Sequence, residues 1–247
     1  MSENNKVFLF VGIMCVVVAV LLAGLRGATY EMALKNEAVF NQRAILKSLG
    51  KNLKPGVDEM SDEEVQNIFA TKMTESVVID SEGEVVEGVE PLDVKLEEER
   101  KKPEDERVLP FFVFDNDGEK YYIISMRGSG LWDAIWGNMA LKSDVASVAG
   151  ASFDHAAETP GLGAEIKDNQ AWVNQFGSTT VFNTYNNKYQ GVLVRKGGAK
   201  DKTYEVDGLS GATVTANGVS DMIQEYIDLY QPYLTKVRAK AGQTGMK

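Results

Sequence analysis

The chain has 247 residues, 44% hydrophobic and 25% charged, an ordinary globular composition that excludes a wholly disordered or collagen-like chain. With 36 acids against 26 bases the formal net charge is −10, and no basic cluster is present to attract phosphates, so no nucleic-acid partner is expected. A single cysteine (Cys15) and a single histidine (His155) exclude a disulfide framework, a Cys-rich iron–sulfur or zinc centre and a His-pair metal site made by this chain alone. Redox chemistry, if present, then falls to an organic cofactor.

Val7–Leu25 is an uncharged apolar run bracketed by Lys6 and Arg26. Its ~19 residues reach roughly 30 Å as a helix, the thickness of a bilayer's hydrocarbon core. The run is long for a signal peptide and its leader is nearly neutral, Glu3 against Lys6, so an uncleaved single-pass anchor is expected. Cys15 lies mid-membrane as a small apolar filler. Positive charge is similar on the two flanks and does not set sidedness.

Tyr30, Ala33, Leu34, Ala38, Val39, Ile45, Leu46 and Leu49 are spaced for an amphipathic helix from Thr29 to about Leu53, ended by Pro55-Gly56. Ser61 and Glu64 read as a helix start leading to Val65, Ile68 and Phe69. Val77–Val86 predicts a hairpin turning at Ser81-Glu82-Gly83. Leu109–Phe114 and Tyr121–Met126 predict a second, turning at Asp115–Gly118. The charge run between them, Leu96–Arg107, reads as a solvated loop or helix face. Strand-like Ala134–Leu141 and Val145–Phe153 follow, then a loop from His155 to Gly163, a short helix at Trp172–Phe176 and a strand at Gly191–Val194. Val219, Met222, Ile223, Tyr226, Ile227 and Tyr230 line one face of a last helix, with Pro232 expected to disrupt its end. No internal repeat is visible. The expected class is α+β: an N-terminal transmembrane helix (1–28), a juxtamembrane helical connector (29–60) and an extramembrane domain (61–247) with an antiparallel sheet and helices.

Chemistry concentrates in Asp207-Gly-Leu-Ser-Gly-Ala-Thr213, just before the last helix. Gly208 and Gly211 permit tight turns and close backbone approach, and Ser210, Thr213 and Thr215 present hydroxyls. Thr213, Thr215 or Asn217 is positioned to cap the helix, whose first amides are unpaired and whose dipole is positive there. The physics alone supports either a plain helix cap or a phosphate site. A second segment, Glu158-Thr-Pro-Gly-Leu-Gly163, has one backbone angle fixed by Pro160 and the neighbouring amides freed by Gly161 and Gly163.

Asp207-x-x-Ser210-Gly211-Ala212-Thr213 resembles the flavinylation motif of the FMN-binding domain family, and Glu158–Gly163 resembles that domain's second loop. The resemblance implies one FMN, joined through its phosphate to Thr213 by a separate flavin transferase. It also implies a pocket drawn from Asp207, Ser210, Gly211, Ala212, Glu158, Thr159, Gly161, Leu162 and Gly163, together with Leu131, Trp132 and Trp172. The order of anchor, domain and both motifs is similar to the C subunits of Na⁺-translocating NADH:quinone reductases, with the G subunits of Rnf-type complexes as the related alternative. This implies one electron carrier in a membrane complex that oxidises NADH, reduces ubiquinone and exports Na⁺. It further implies partner subunits and a periplasmic domain on a bacterial inner membrane. No G-x-G-x-x-G follows a strand, so no NADH site is expected in this chain.

Trp132, Trp136, Trp172, Phe176 and Tyr185 are ring-stacking candidates, with Trp172 and Phe176 preferred because they follow the Glu158–Gly163 loop. Lys167, Lys196 and Lys200 are candidate phosphate neighbours, with an ordinary surface role as the default. His155 reads as structural. Ser210 lacks the G-x-S-x-G context and an evident acid for His155, which excludes a serine hydrolase. A membrane-anchored assembly module without redox activity remains the competing class.

Overall fold

In the computed structural model, which describes residues 2–244, the apolar run and the amphipathic stretch form one unbroken helix, α1 (Glu3–Lys47). Two compact units result, Met1–Phe40 and Asn41–Lys247. In the first, α1 exposes Val7–Leu25 throughout and is long and apolar enough to cross a membrane. No helix boundary falls near Thr29. A helix satisfies every backbone group internally, and no proline interrupts this one.

The second unit is built on a six-stranded antiparallel sheet. After α2 (Asp62–Lys72) come β1 (Met73–Ile79), β2 (Val85–Val86), the short α3 (Leu96–Glu99), β3 (Leu109–Asn116), β4 (Glu119–Ser129), β5 (Ala134–Leu141) and β6 (Val148–His155). The sheet order is β2-β1-β3-β4-β5-β6. Both predicted hairpins are present, with Val78 opposite Val86 and Phe112 opposite Ile123. The Ser61–Glu64 signal is a complete capping box: Ser61 Oγ accepts from the Glu64 amide at 3.3 Å, and Glu64 Oε2 accepts from the Ser61 amide at 2.7 Å.

Alternate side chains of each central strand serve opposite faces. Phe111, Val113, Tyr122, Ile124 and Met126 join the core under the last helix, α6 (Thr213–Thr244). Phe112, Phe114 and Ile123 are buried on the other face, where Phe69 of α2 meets Phe112 at 6.3 Å between ring centroids. The end of α1 belongs to this layer: Ser152 Oγ donates to the Ala44 carbonyl at 2.8 Å. Close packing of α6 on β4 depends on Gly128, where a Cβ would stand 2.8 Å from Met222. Tyr230, fully buried, donates its hydroxyl to the Pro110 carbonyl at 2.6 Å, and burial pushes its pKa well above the ordinary value.

Two expectations are corrected. Helix α6 runs through Pro232 without ending. The carbonyl deprived of a donor belongs to Asp228, which is exposed and open to water, while buried Tyr230 and Leu234 hold the helix down on either side. The Leu96–Arg107 run is more than a solvated face. Arg100 and Arg107 both pair with Glu225 of α6, at 3.3 and 3.0 Å, and Glu99 is buried with its carboxylate accepting the Val108 amide at 3.0 Å.

Between β6 and α6 lie the short helices α4 (Glu165–Asp168) and α5 (Gln170–Val173). Two small strand pairs follow: β7 (Phe182–Asn183) with β8 (Lys188–Tyr189), and β9 (Leu193–Arg195) with β10 (Glu205–Asp207). The second pair is parallel and stands apart from the expected antiparallel sheet. It places the loop leaving β9 beside the motif that leaves β10.

Candidate functional site

Asp207 ends β10, and Thr213 is the first residue of α6, so the glycine-rich motif is the turn between them. Gly208 follows from backbone crowding: its amide donates to the Arg195 carbonyl at 2.8 Å, and a Cβ would lie 2.9 Å from that same oxygen. Gly211 has φ +74°, where other residues are strained, and a Cβ on it would stand 2.6 Å from Leu162 Cδ2. Leu162 belongs to the Glu158–Gly163 loop, so the two distant motifs touch here.

A cavity of about 370 Å³ opens at this turn. Its walls include Lys196, Gly197 and Gly198 from the β9 loop, Ser210, Gly211 and Thr213 from the motif, and Asn217 from α6. Thr213 is half-buried and Ser210 exposed. The amides of Thr213, Val214 and Thr215 have no acceptor among the described residues, and none of the three proposed capping side chains closes the helix start. Unpaired amides, the positive end of a long helix dipole, a lysine and side-chain-free glycines together make a place for an anion.

The aspartate of the motif bonds to the neighbouring loop. Asp207 Oδ1 accepts the Ala199 amide at 2.8 Å, fastening the Gly197–Ala199 loop that walls the cavity. The same loop is held by Glu205, whose pKa is lowered to about 2 by the Lys200 amide, then by Arg195 and the Asp201 amide. Of the three lysines considered, Lys196 lines the cavity, Lys167 pairs with Asp154 at 2.9 Å, and Lys200 joins the Glu205 cluster through its backbone amide, at 2.8 Å.

Glu158 is the first residue of the second motif and is buried. Its Oε2 accepts the Thr215 hydroxyl at 2.6 Å, and its Oε1 accepts the Trp132 amide at 2.9 Å. Burial pushes its carboxyl up, but the bonds from Thr215 and from the Trp132, Asp133 and Leu131 amides outweigh it and hold the pKa below the ordinary value. His155, at the end of β6, accepts the Glu158 amide on Nδ1 at 3.2 Å, a structural role. Gly161 has φ +74° and open space before it; Gly163 packs directly on Glu158 and Thr215.

Leu131, Trp132, Leu162 and Val214 are large apolar side chains left exposed around these loops, Trp132 by 68%. Leu131 and Trp132 line a groove of about 470 Å³ with Arg100 and Arg127. The preferred stacking candidates lie elsewhere. Trp172 and Phe176 are buried in the core against Phe153, and the Trp172 indole reaches the motif only by donating to the Asp207 carbonyl at 2.6 Å. Nearness to the loop in sequence favours both, but their large apolar surfaces are consumed by packing. Tyr185 is exposed on the β7–β8 turn, and Trp136 carries the Arg127 guanidinium over its ring at 5.5 Å. Sequence reasoning missed the Gly197-Gly198 wall and Val214; the glycine pair directly after a strand was the available signal.

The family model described as FMN-binding domain matches residues 130–228, a span that contains both motifs and the Leu131–Trp132 loop. The C subunit of the Na⁺-translocating NADH-quinone reductase of Pseudomonas aeruginosa is 30% identical over 96% of this chain and 97% of its own length. The Yersinia pestis C subunit is 29% identical over 98% and 96%. Among solved structures, the C subunit from Parabacteroides distasonis superposes with a TM-score of 0.72 at 30% identity, covering 83% of this chain and 96% of that one. The Shewanella oneidensis NqrC structure, at 23% identity and a TM-score of 0.70, shares the fold. With likeness over nearly the whole length of both chains, and the FMN-binding domain model matching the span that holds both motifs, the chain belongs to the family of C subunits of the Na⁺-translocating NADH-quinone reductases.

Proposed function

We propose that the chain is an electron-transfer subunit of a multisubunit membrane oxidoreductase that oxidises NADH, reduces ubiquinone and exports Na⁺, and that it carries FMN through a phosphoester at Thr213. The observation that carries the assignment is the contrast between neighbouring hydroxyls. Thr213 is half-buried on the cavity wall beside three unpaired amides, whereas Thr215 is 1% exposed and donates to Glu158. The residues fit the group: Gly208 and Gly211 leave space no side chain can occupy, Lys196 and the α6 amides suit the phosphate, and exposed Leu131, Trp132 and Leu162 suit the face of a ring system.

FMN held there would supply reversible one-electron transfer. The chain supplies the tether, the anion cradle and apolar side chains that exclude water from one side. A covalent link keeps the cofactor where free FMN is scarce, since a dissociable one would be lost by mass action. In this reading residues 1–28 anchor the chain in the bacterial inner membrane, residues 29–60 connect, residues 61–247 form the periplasmic FMN-binding domain, and a flavin transferase completes the chain after export.

Intact mass and peptide mapping of the full chain co-expressed with a flavin transferase test the proposal. One flavin adduct on Thr213 is expected, absent from Thr213→Ala and kept in Thr215→Ala. An adduct on Ser210 or Thr215 refutes the site. A polypeptide without yellow fluorescence after denaturation supports the assembly module instead.

A further inference from the structure

Glu158 is only 5% exposed, yet its carboxylate joins two segments far from it in sequence. It takes the Thr215 hydroxyl of α6 on one oxygen and the Trp132 amide on the other, and the Leu131 and Asp133 amides turn to the same carboxylate. Both carboxylate oxygens are thus engaged, one by a hydroxyl and one by a backbone amide. A Cβ at Gly130 or at Gly163 would run into the carboxylate, so the chain has given up two side chains to admit it. Burying a charged group is costly unless it is fully bonded, and here the bonding is entirely internal. Both oxygens of Glu158 are turned to the chain itself.

We propose that Glu158 is a positioning residue: it clasps the Leu131–Trp132–Asp133 loop to the first turn of α6, and so sets the exposed apolar side chains of that loop relative to Thr213. The proposal rests on the reading that Thr213 carries the flavin. The clasp continues through Leu162, which follows Glu158 in the same loop and lies against Gly211. It also occupies the Thr215 hydroxyl, leaving Thr213 as the open threonine of the helix start.

The experiment uses the full chain in detergent, co-expressed with a flavin transferase, as wild type, Glu158→Ala and Glu158→Gln. Flavin occupancy is read by intact mass, exchange of the 131–133 amides by hydrogen–deuterium mass spectrometry, and the flavin's setting by visible circular dichroism. In Glu158→Ala, exchange at 131–133 is expected to rise roughly tenfold or more, as for loss of a charge-assisted hydrogen bond. The visible signal loses amplitude while flavin stays on Thr213. Glu158→Gln, whose oxygen still accepts from the amides, restores most of both. Wild-type exchange in Glu158→Ala overturns the clasp; faster exchange with a wild-type visible signal reduces Glu158 to a structural carboxylate and also overturns the proposal. Should Glu158→Ala fail to fold, Thr215→Val removes a single donor and must move both readouts in the same direction. A wild-type chain without flavin refutes the attachment reading separately, and the exchange arm, which needs no flavin, still decides the clasp.

Discussion

Gly161 and Gly163 are two residues apart in one loop, and alanine should be rejected at each for a different reason. At Gly161 the backbone has φ +74° and a Cβ would meet nothing within 4 Å. Alanine there costs only the left-handed conformation, about 1–2 kcal/mol. Gly163 has no such backbone constraint, but its Cβ would collide with the Glu158 carboxylate and stand 2.8 Å from Thr215 Oγ1. Glu158 cannot withdraw without giving up its bonds to Trp132 or Thr215. At about 1.5–3 kcal/mol for each charged hydrogen bond, the loss is roughly 2–5 kcal/mol. Each kcal/mol shifts the melting temperature of a domain this size by about 2–4 °C. Thermal unfolding of the full chain in detergent should therefore rank Gly163→Ala below Gly161→Ala. The two causes separate in a Glu158→Ala background: the Gly163→Ala penalty falls to what the tight approach to Thr215 still imposes, while the Gly161→Ala penalty persists unchanged. Equal penalties in the wild-type background, or a Gly163→Ala penalty undiminished by removal of the Glu158 carboxylate, would refute the reasoning.

Three further outcomes are expected. Asp207→Ala releases the Gly197–Ala199 wall and should lower flavin occupancy at Thr213, measured by intact mass; full occupancy would limit Asp207 to the turn. The Glu158 carboxyl is held below its ordinary value of 4.5, so its stabilising contribution is complete above that value and is lost as pH falls through the lower folded pKa. Melting curves of wild type and Glu158→Gln should therefore converge between about pH 6 and pH 3, and a constant gap would contradict the assignment. For topology, protease added to spheroplasts should cleave the domain, and cleavage confined to inside-out vesicles would reverse the proposed orientation.

Local periodicity made much of the fold legible. The hairpins around Ser81–Gly83 and Asp115–Gly118, the Ser61–Glu64 box and the apolar face from Val219 to Tyr230 all follow from interactions within a few residues. What was misread or left unread depends on tertiary context. Pro232 is tolerated because packing on either side outweighs one missing hydrogen bond, and the parallel β9–β10 pair is set by which backbones the core brings together. At the site, the two motifs were visible as strings, but the roles inside them were not. Glu158 finds its partners 26 and 57 residues away, and the Trp172 indole finds the Asp207 carbonyl 35 residues away. No spacing rule reaches that far.

The unpaired amides at the start of α6 bear on the life of the chain as well as its chemistry. A helix start of this kind lacks the cap that normally contributes about 0.5–2 kcal/mol, and a negative charge placed there supplies a similar amount. A phosphate joined to Thr213 would act as that cap, so the modification would complete the fold at the point where it is made. Chains that miss it would open more often at the head of their longest core helix and meet proteases sooner. Loading and survival would then be linked, and the population would be purged of empty subunits without any dedicated inspector.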